Sequence, residues 1–259
     1  MRKIHFPWNA SVEPIKLGSL LMFRKAVENY LEFTLAAIPE IVFFKNDQLS
    51  VKETRLINDV FEDIDFLLSF LTAVETFTGD PFEGTLNYYS SWDGIEHQIA
   101  KKKGRREMLW HQKVEKQFGK FISCHLRVPE FGTIPQIYHS QIENWFDFFE
   151  MKKAQKFLLL GDEMYPKEML DLSNVVLAKR EGFSLNQQLG LIQETKGFLG
   201  TASGFSAAAV LSKKPAFVFK HPQHHPEENI TPDFLANNQK QVRQTDMLCN
   251  IIRGGVVCG

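Results

Sequence analysis

The chain has 259 residues, 44% of them hydrophobic, and a formal net charge of −1. That length holds one large or two small domains with a sizeable core, and the neutral balance excludes a global electrostatic pull toward nucleic acid or an anionic membrane. Three cysteines, Cys124, Cys249 and Cys258, lack CxxC spacing, which excludes a disulfide framework or zinc ribbon and fits a reducing, cytoplasmic compartment.

The N-terminus carries no long apolar region of the signal-peptide kind, and no run approaches the ~20 apolar residues of a membrane span. No transmembrane segment is expected. Phe is unusually common, with 23 copies, and serves mainly as packing material.

Residues 3–8 read as a first strand, followed by a polar loop to Lys16. Leu17, Gly18 and Ser19 form a turn into an amphipathic helix, with Leu20, Phe23, Val27, Tyr30 and Leu31 at helical spacing. Residues 40–44 are a second strand, which completes a βαβ start and implies a parallel sheet. Residues 51–78 read as mostly helical, on the stripe Leu56, Val60, Ile64, Leu67, Leu68 and Leu71. A strand at 85–89 and an interrupted helix at 95–118 follow.

The second half alternates regularly. Strands are expected at 121–125, 156–160, 174–177, 198–199 and 214–220, and helices at 140–153, 166–172 and 185–195, with another after Gly204. This pattern argues for a second parallel α/β unit. The tail from Pro222 is polar and weakly patterned.

Residues 197–211 are the most informative stretch. Phe198 and Leu199 supply a strand, Gly200, Thr201, Ala202, Ser203 and Gly204 a turn with little side-chain bulk, and Ala207 to Leu211 a helix. Such a turn presents helix N-terminal amides to an anion, and Ser203 and Ser206 add hydroxyls that donate to the anion or cap the helix. The plain alternative is a tight turn in which glycine only allows close packing.

In a parallel sheet the loops leaving the carboxyl ends of the strands form the ligand crevice. Four segments sit at such ends: the Leu17-Gly18 turn, residues 125–130, the run Gly161-Asp162-Glu163, and residues 200–206. Three of them lie in the second half, which makes that half the main ligand-binding one. Arg127 is suited to hold a diphosphate bidentately, or to form a salt bridge at the sheet edge. His125 shares its strand face, and both His125 and Glu130 are candidate bases. Asp162 and Glu163 are placed to bind ligand hydroxyls, to orient Arg127, or to cap the next helix. Glu194 ends a helix, where an anion is unfavourable, and is either held for ligand hydroxyls or exposed.

Residues 221–228 carry His221, His224 and His225 between two prolines; a mobile loop over the cleft is expected there rather than a metal centre. The basic run at 101–106 lacks interleaved aromatics and reads as a solvated helix end or a face toward an anionic acceptor. The sequence has no Walker A lysine, no GxGxxG after the first strand and no GxSxG elbow.

The second half resembles the GT-B glycosyltransferases, most closely the fucosyltransferase-like and heptosyltransferase-like groups. The resemblance rests on His125-Leu-Arg127, similar to the His-x-Arg strand end of fucosyltransferases; on residues 157–163, similar to a strand ending in acidic residues; and on residues 197–209 followed by Lys214-Pro215. It implies an α/β fold of two Rossmann-like lobes with parallel sheets. Residues 1–118 would be the acceptor-side lobe and residues 119–259 the nucleotide-sugar-binding lobe with its tail. It assigns Arg127 to the donor phosphates, Ser203, Gly204 and Ser206 to the phosphate turn with Thr201 leading into it, and Asp162 and Glu163 to the nucleoside or sugar. Gly18 fits the acceptor side.

The activity implied is metal-independent transfer of a sugar from a nucleotide-diphosphate donor to the hydroxyl of an acceptor glycan or similar compound. The donor is a substrate, and no cofactor is expected. The alternatives are a non-catalytic α/β module that holds a nucleotide or phosphorylated ligand, and a sugar-nucleotide epimerase of the same architecture.

Overall fold

The short apolar runs of the sequence pair as parallel strands in two sheets. The structure is a computed structural model and describes residues 2–11, 13–31, 37–62, 67–72, 114, 118–128, 139–212, 214–220 and 239–243. The chain divides into two compact units, Met1–Arg106 and Glu107–Gly259.

The first unit contains β1 (Arg2–Asn9), α1 (Leu17–Leu31), β2 (Ala37–Lys45), α2 (Val51–Phe61) and β3 (Leu67–Thr72). Its described strands lie in the order β1-β2-β3, all parallel. The core is aromatic. Trp8 of β1 meets Phe23 of α1 edge-on at 4.9 Å, and Phe61 of α2 packs on both Phe23 and Phe43. Ser50 and Glu53 close a reciprocal capping box that starts α2. Arg24 is fully buried, with its guanidinium donating to the Val60 carbonyl at 2.7 Å and pairing with Glu28.

The helix expected over 51–78 ends at Phe61, and residues 67–72 form β3 in register with β2, from Glu40 opposite Leu67 to Lys45 opposite Thr72. A short apolar run does not set its own period, and here pairing with β2 decided it. The Leu17-Gly18 turn is already the first turn of α1, because the Leu20 N–H donates to the Lys16 carbonyl at 2.9 Å.

The second unit contains β4 (Phe121–His125), α3 (Ile142–Met151), β5 (Lys156–Leu159), α4 (Lys167–Leu170), β6 (Val175–Leu177), α5 (Leu185–Glu194), β7 (Phe198–Thr201), α6 (Gly204–Leu211), β8 (Ala216–Lys220) and β9 (Gln239–Arg243). The strand order is β6-β5-β4-β7-β8-β9, and every pairing is parallel. This is the doubly wound arrangement. The chain winds outward from β4 through β5 to β6, then returns to the other side of β4 and continues from β7 to β9. Its switch point lies between β4 and β7.

On α3, Trp145, Phe148 and Phe149 recur at helical spacing and pack on Phe157 and Phe219 of the sheet. Ser184 with Gln187 and Ser203 with Ser206 close capping boxes that start α5 and α6.

The tail expected to be weakly patterned contributes β9, in register with β8 from Ala216 opposite Gln239 to Lys220 opposite Arg243. Its sequence, Gln-Lys-Gln-Val-Arg, has little apolar content, so periodicity gives no signal for an end strand of this kind. The strand expected at 85–89 and the loop at 221–228 lie outside the described residues. Among the described residues no helix is long and apolar enough to cross a membrane.

Glycine matters most at the switch point. A Cβ on Gly200 would lie 2.4 Å from the carbonyl oxygen of His125 on the neighbouring strand. Gly200→Ala should therefore force β4 and β7 apart and destabilise the protein by about 1–3 kcal/mol. Urea denaturation checks this; an unchanged midpoint and slope would contradict it.

Candidate functional site

The carboxyl ends of β4 and β7 meet at the switch point, and most of the candidate residues of the second unit gather there or at the neighbouring end of β5. His125 is the last residue of β4 and is buried; Arg127, two residues on, is half-buried. Thr201 is the last residue of β7 and is buried, and Ser203, Gly204 and Ser206 open α6. Gly161, Asp162 and Glu163 follow β5, which pairs with β4 on its other side.

A chain of hydroxyls fixes the backbone of Arg127. The Arg127 N–H lies 2.9 Å from Ser140 Oγ and 3.3 Å from Thr201 Oγ1, and both accept from it. Ser140 donates to Thr201 Oγ1 at 3.2 Å, and Thr201 donates to the His125 carbonyl at 3.4 Å. The Ser140 N–H closes the loop by donating to the Arg127 carbonyl at 2.8 Å. Tyr165 holds the residue between, donating to the Leu160 carbonyl at 2.9 Å and accepting from the Leu126 N–H at 3.4 Å. Burial pushes the Tyr165 phenol well above its ordinary range, so it stays a neutral clasp.

His125 and Glu163 form the central polar contact. His125 Nε2 lies 2.7 Å from Glu163 Oε1, and the His125 ring rests on the Phe205 ring of α6 at 4.8 Å. Gly161 makes this contact possible. It has φ of 97°, and a Cβ there would fall within 2.9 Å of the His125 ring and closer still to Glu163 Oε2. Burial alone raises the Glu163 carboxyl. The His125 charge, its hydrogen bond, a backbone hydrogen bond and the Arg127 charge outweigh that and hold the carboxyl below its ordinary value.

At α6 the serine hydroxyls are engaged in the cap. The Ser206 N–H donates to Ser203 Oγ at 3.3 Å, the Ser203 N–H to Ser206 Oγ at 2.8 Å, and Ser206 Oγ to the Ser203 carbonyl at 2.7 Å. The N-terminal amides outside this box are those of Gly204 and Phe205. They sit at the positive end of the helix, beside the residue that contacts His125.

The remaining candidates separate from this group. Asp162 is exposed. Neither Asp162 nor Glu163 caps the next helix, since Pro166 holds that position. Glu194 ends α5 beside the amino edge of the sheet, where the Lys196 N–H donates to the Phe121 carbonyl at 2.9 Å. Four residues of strand, about 13 Å, separate that edge from His125. Gly18 lies in α1 of the first unit, and Glu130 lies outside the described residues.

Sequence reasoning missed Ser140 and Tyr165 as parts of this site, and it gave Gly161 and Phe205, which lie within its candidate segments, no role of their own. Gly161 had a detectable signal, a glycine directly after a buried apolar strand. Ser140 and Tyr165 had none, because their partners lie 13 and 39 residues away.

No family model matches the sequence, and no curated protein matches it. The structure is similar to solved glycosyltransferases. It matches the Escherichia coli heptosyltransferase WaaC with ADP-2-deoxy-2-fluoro heptose at a TM-score of 0.56 and 10% identity, covering 97% of this chain and 98% of that one. It matches a glycosyl transferase family 9 protein from Veillonella parvula at 0.52 and 8% identity, covering 100% and 90%. It matches the Escherichia coli ADP-heptose LPS heptosyltransferase II at 0.52 and 12% identity, covering 95% and 91%. The chain therefore has the GT-B, heptosyltransferase-like α/β fold that its second half resembles in sequence.

The lowered Glu163 carboxyl ties stability to pH. Its folded value lies below the unfolded value of 4.5, so its ionisation stabilises the fold above that pH, and this contribution is lost as pH falls through the folded value. Glu163→Gln should be less stable than the parent at about pH 6, with the gap narrowing toward about pH 3. Urea denaturation across that range measures it, and a gap independent of pH would refute the Glu163–His125 contact.

Proposed function

We propose that this protein transfers a sugar from a nucleotide-diphosphate donor to the hydroxyl of an acceptor. One juxtaposition carries the reading: Arg127 and the Gly204 and Phe205 amides leave adjacent parallel strands at the switch point of a doubly wound sheet. A guanidinium and helix N-terminal amides that leave neighbouring strand ends suit a diphosphate. The neighbours solved with ADP and with an ADP-heptose analogue support the same substrate class.

Glycosyl transfer passes through a transition state of oxocarbenium character, while negative charge grows on the departing diphosphate. Arg127 and the two amides meet that charge with fixed dipoles and a permanent cation, a preorganised form of stabilisation that assigns no role to a metal. The exposed Asp162 is the candidate for a donor hydroxyl. The first unit, with Gly18 in α1, is assigned to the acceptor.

Thermal unfolding with a panel of nucleoside diphosphates and nucleotide sugars, ADP-sugars first, tests the reading. A ligand at one hundred times its Kd stabilises by about 2.7 kcal/mol, or roughly 5–10 °C for a unit of this size. Arg127→Ala should weaken that ligand's binding by about ten- to a hundredfold. Turnover of the stabilising donor then separates a transferase from a binding module. No shift with any member of the panel would overturn the donor site.

A further inference from the structure

The acidic residue after β5 has two possible uses, as a ligand for donor hydroxyls or as a partner for the protein's own side chains. Its geometry favours the second. Glu163 Oε1 lies 2.7 Å from His125 Nε2, and neither the Glu163 nor the His125 side chain is exposed by more than 19%. The contact is built in from several sides. Gly161 keeps the space clear that a side chain would fill, Gly200 lets β7 close on the His125 backbone, and the Phe205 ring covers the imidazole at an interplanar angle of 31°.

A neutral imidazole carries one N–H, and an ionised carboxylate only accepts. With Nε2 against Glu163, the N–H belongs on Nε2 and Nδ1 is left as a bare acceptor. His125 Nδ1 is buried and has no hydrogen-bond partner. Glu163 Oε2 is likewise buried and without a partner. Buried acceptors are seldom left without a donor, so orphans at the carboxyl ends of β4 and β5 call for a donor from outside the chain.

We propose that Glu163 is a positioning residue that holds His125 as the Nε2-protonated tautomer, and that Nδ1 receives the proton of the acceptor hydroxyl. The second half of this inference rests on the transfer reading above. In that step the acceptor O–H bond breaks and its proton passes to Nδ1. The acceptor oxygen forms the new bond to the anomeric carbon as the carbon–oxygen bond to the diphosphate breaks, its electron pair leaving on the phosphate oxygen. The imidazolium that results is balanced by the Glu163 carboxylate, the arrangement by which a carboxylate orients a histidine base. Glu163 Oε1 is then committed to His125 rather than to a donor hydroxyl.

Nitrogen-15 NMR of histidine-labelled full-length protein at about pH 8, where a free imidazole is neutral, reads the tautomer directly, with His125→Gln supplying the assignment. The expected spectrum has the His125 proton on Nε2 and an unprotonated Nδ1, with the tautomer mixed or reversed in Glu163→Leu, which removes the acceptor. A proton on Nδ1 in the parent protein overturns the proposal without need of any variant that must fold, and so does an unchanged tautomer in Glu163→Leu. With the donor identified by the nucleotide-sugar panel, Glu163→Gln should lower kcat on the order of a hundredfold and leave the donor KM within about twofold. A raised KM with unchanged kcat would return Glu163 to donor binding. If no nucleotide sugar binds, the transfer reading fails and the role of Nδ1 with it, while the NMR result still decides whether Glu163 positions His125.

Discussion

The carbonyl oxygen of His125 occupies space that any side chain on Gly200 would need, and this close approach of β4 to β7 is the constraint on which the candidate site depends. It lets two strands that are far apart in sequence end side by side. Everything after those ends follows from it. Arg127 leaves one strand, the cap of α6 leaves the other, and the hydroxyls of Ser140 and Thr201 bridge them. The doubly wound order makes this the one place where successive connections diverge to opposite sides, so no crossover helix covers it.

Charge at this point is arranged rather than accumulated. Arg127 and the amino end of α6 supply positive character, and Glu163 sits close enough to feel both Arg127 and His125. The serines of the α6 turn, which by type suit anion binding, are bonded within their capping box instead. The amides are thus the turn's contribution, and the hydroxyls keep those amides in place. Tyr165 and Ser140 play the same part for the backbone at Leu126 and Arg127. Rigid backbone at a strand end is what allows a charged side chain to be aimed.

The first unit uses different means. Its core joins Trp8, Phe23, Phe43 and Phe61 in edge-on contacts, and it buries Arg24 by satisfying the guanidinium with the Val60 carbonyl and Glu28. Phenylalanine-rich packing also dominates under α3 in the second unit. Among the described residues most of the phenylalanines serve as core in both units.

The sequence by itself determined the local elements that carry their own signal. Strands β4 to β8 are short apolar runs bounded by turns, α3 and α5 have apolar spacing, and the small-residue turn before α6 is legible because glycine, serine and alanine leave few other uses. From these came the α/β class, the weight on the second half, and Arg127, His125 and the Ser203–Ser206 turn as the residues to watch. The tertiary structure alone decided the rest. Residues 67–72 became a strand and the polar run 239–243 another because ladder partners supplied what their side chains do not specify. Glu163 turned toward His125, and Glu194 fell at the far edge of the sheet, because strand order and direction set which ends meet. Periodicity reports on a residue's immediate neighbours along the chain, while a site of this kind is made where strands distant in sequence are brought within hydrogen-bond reach.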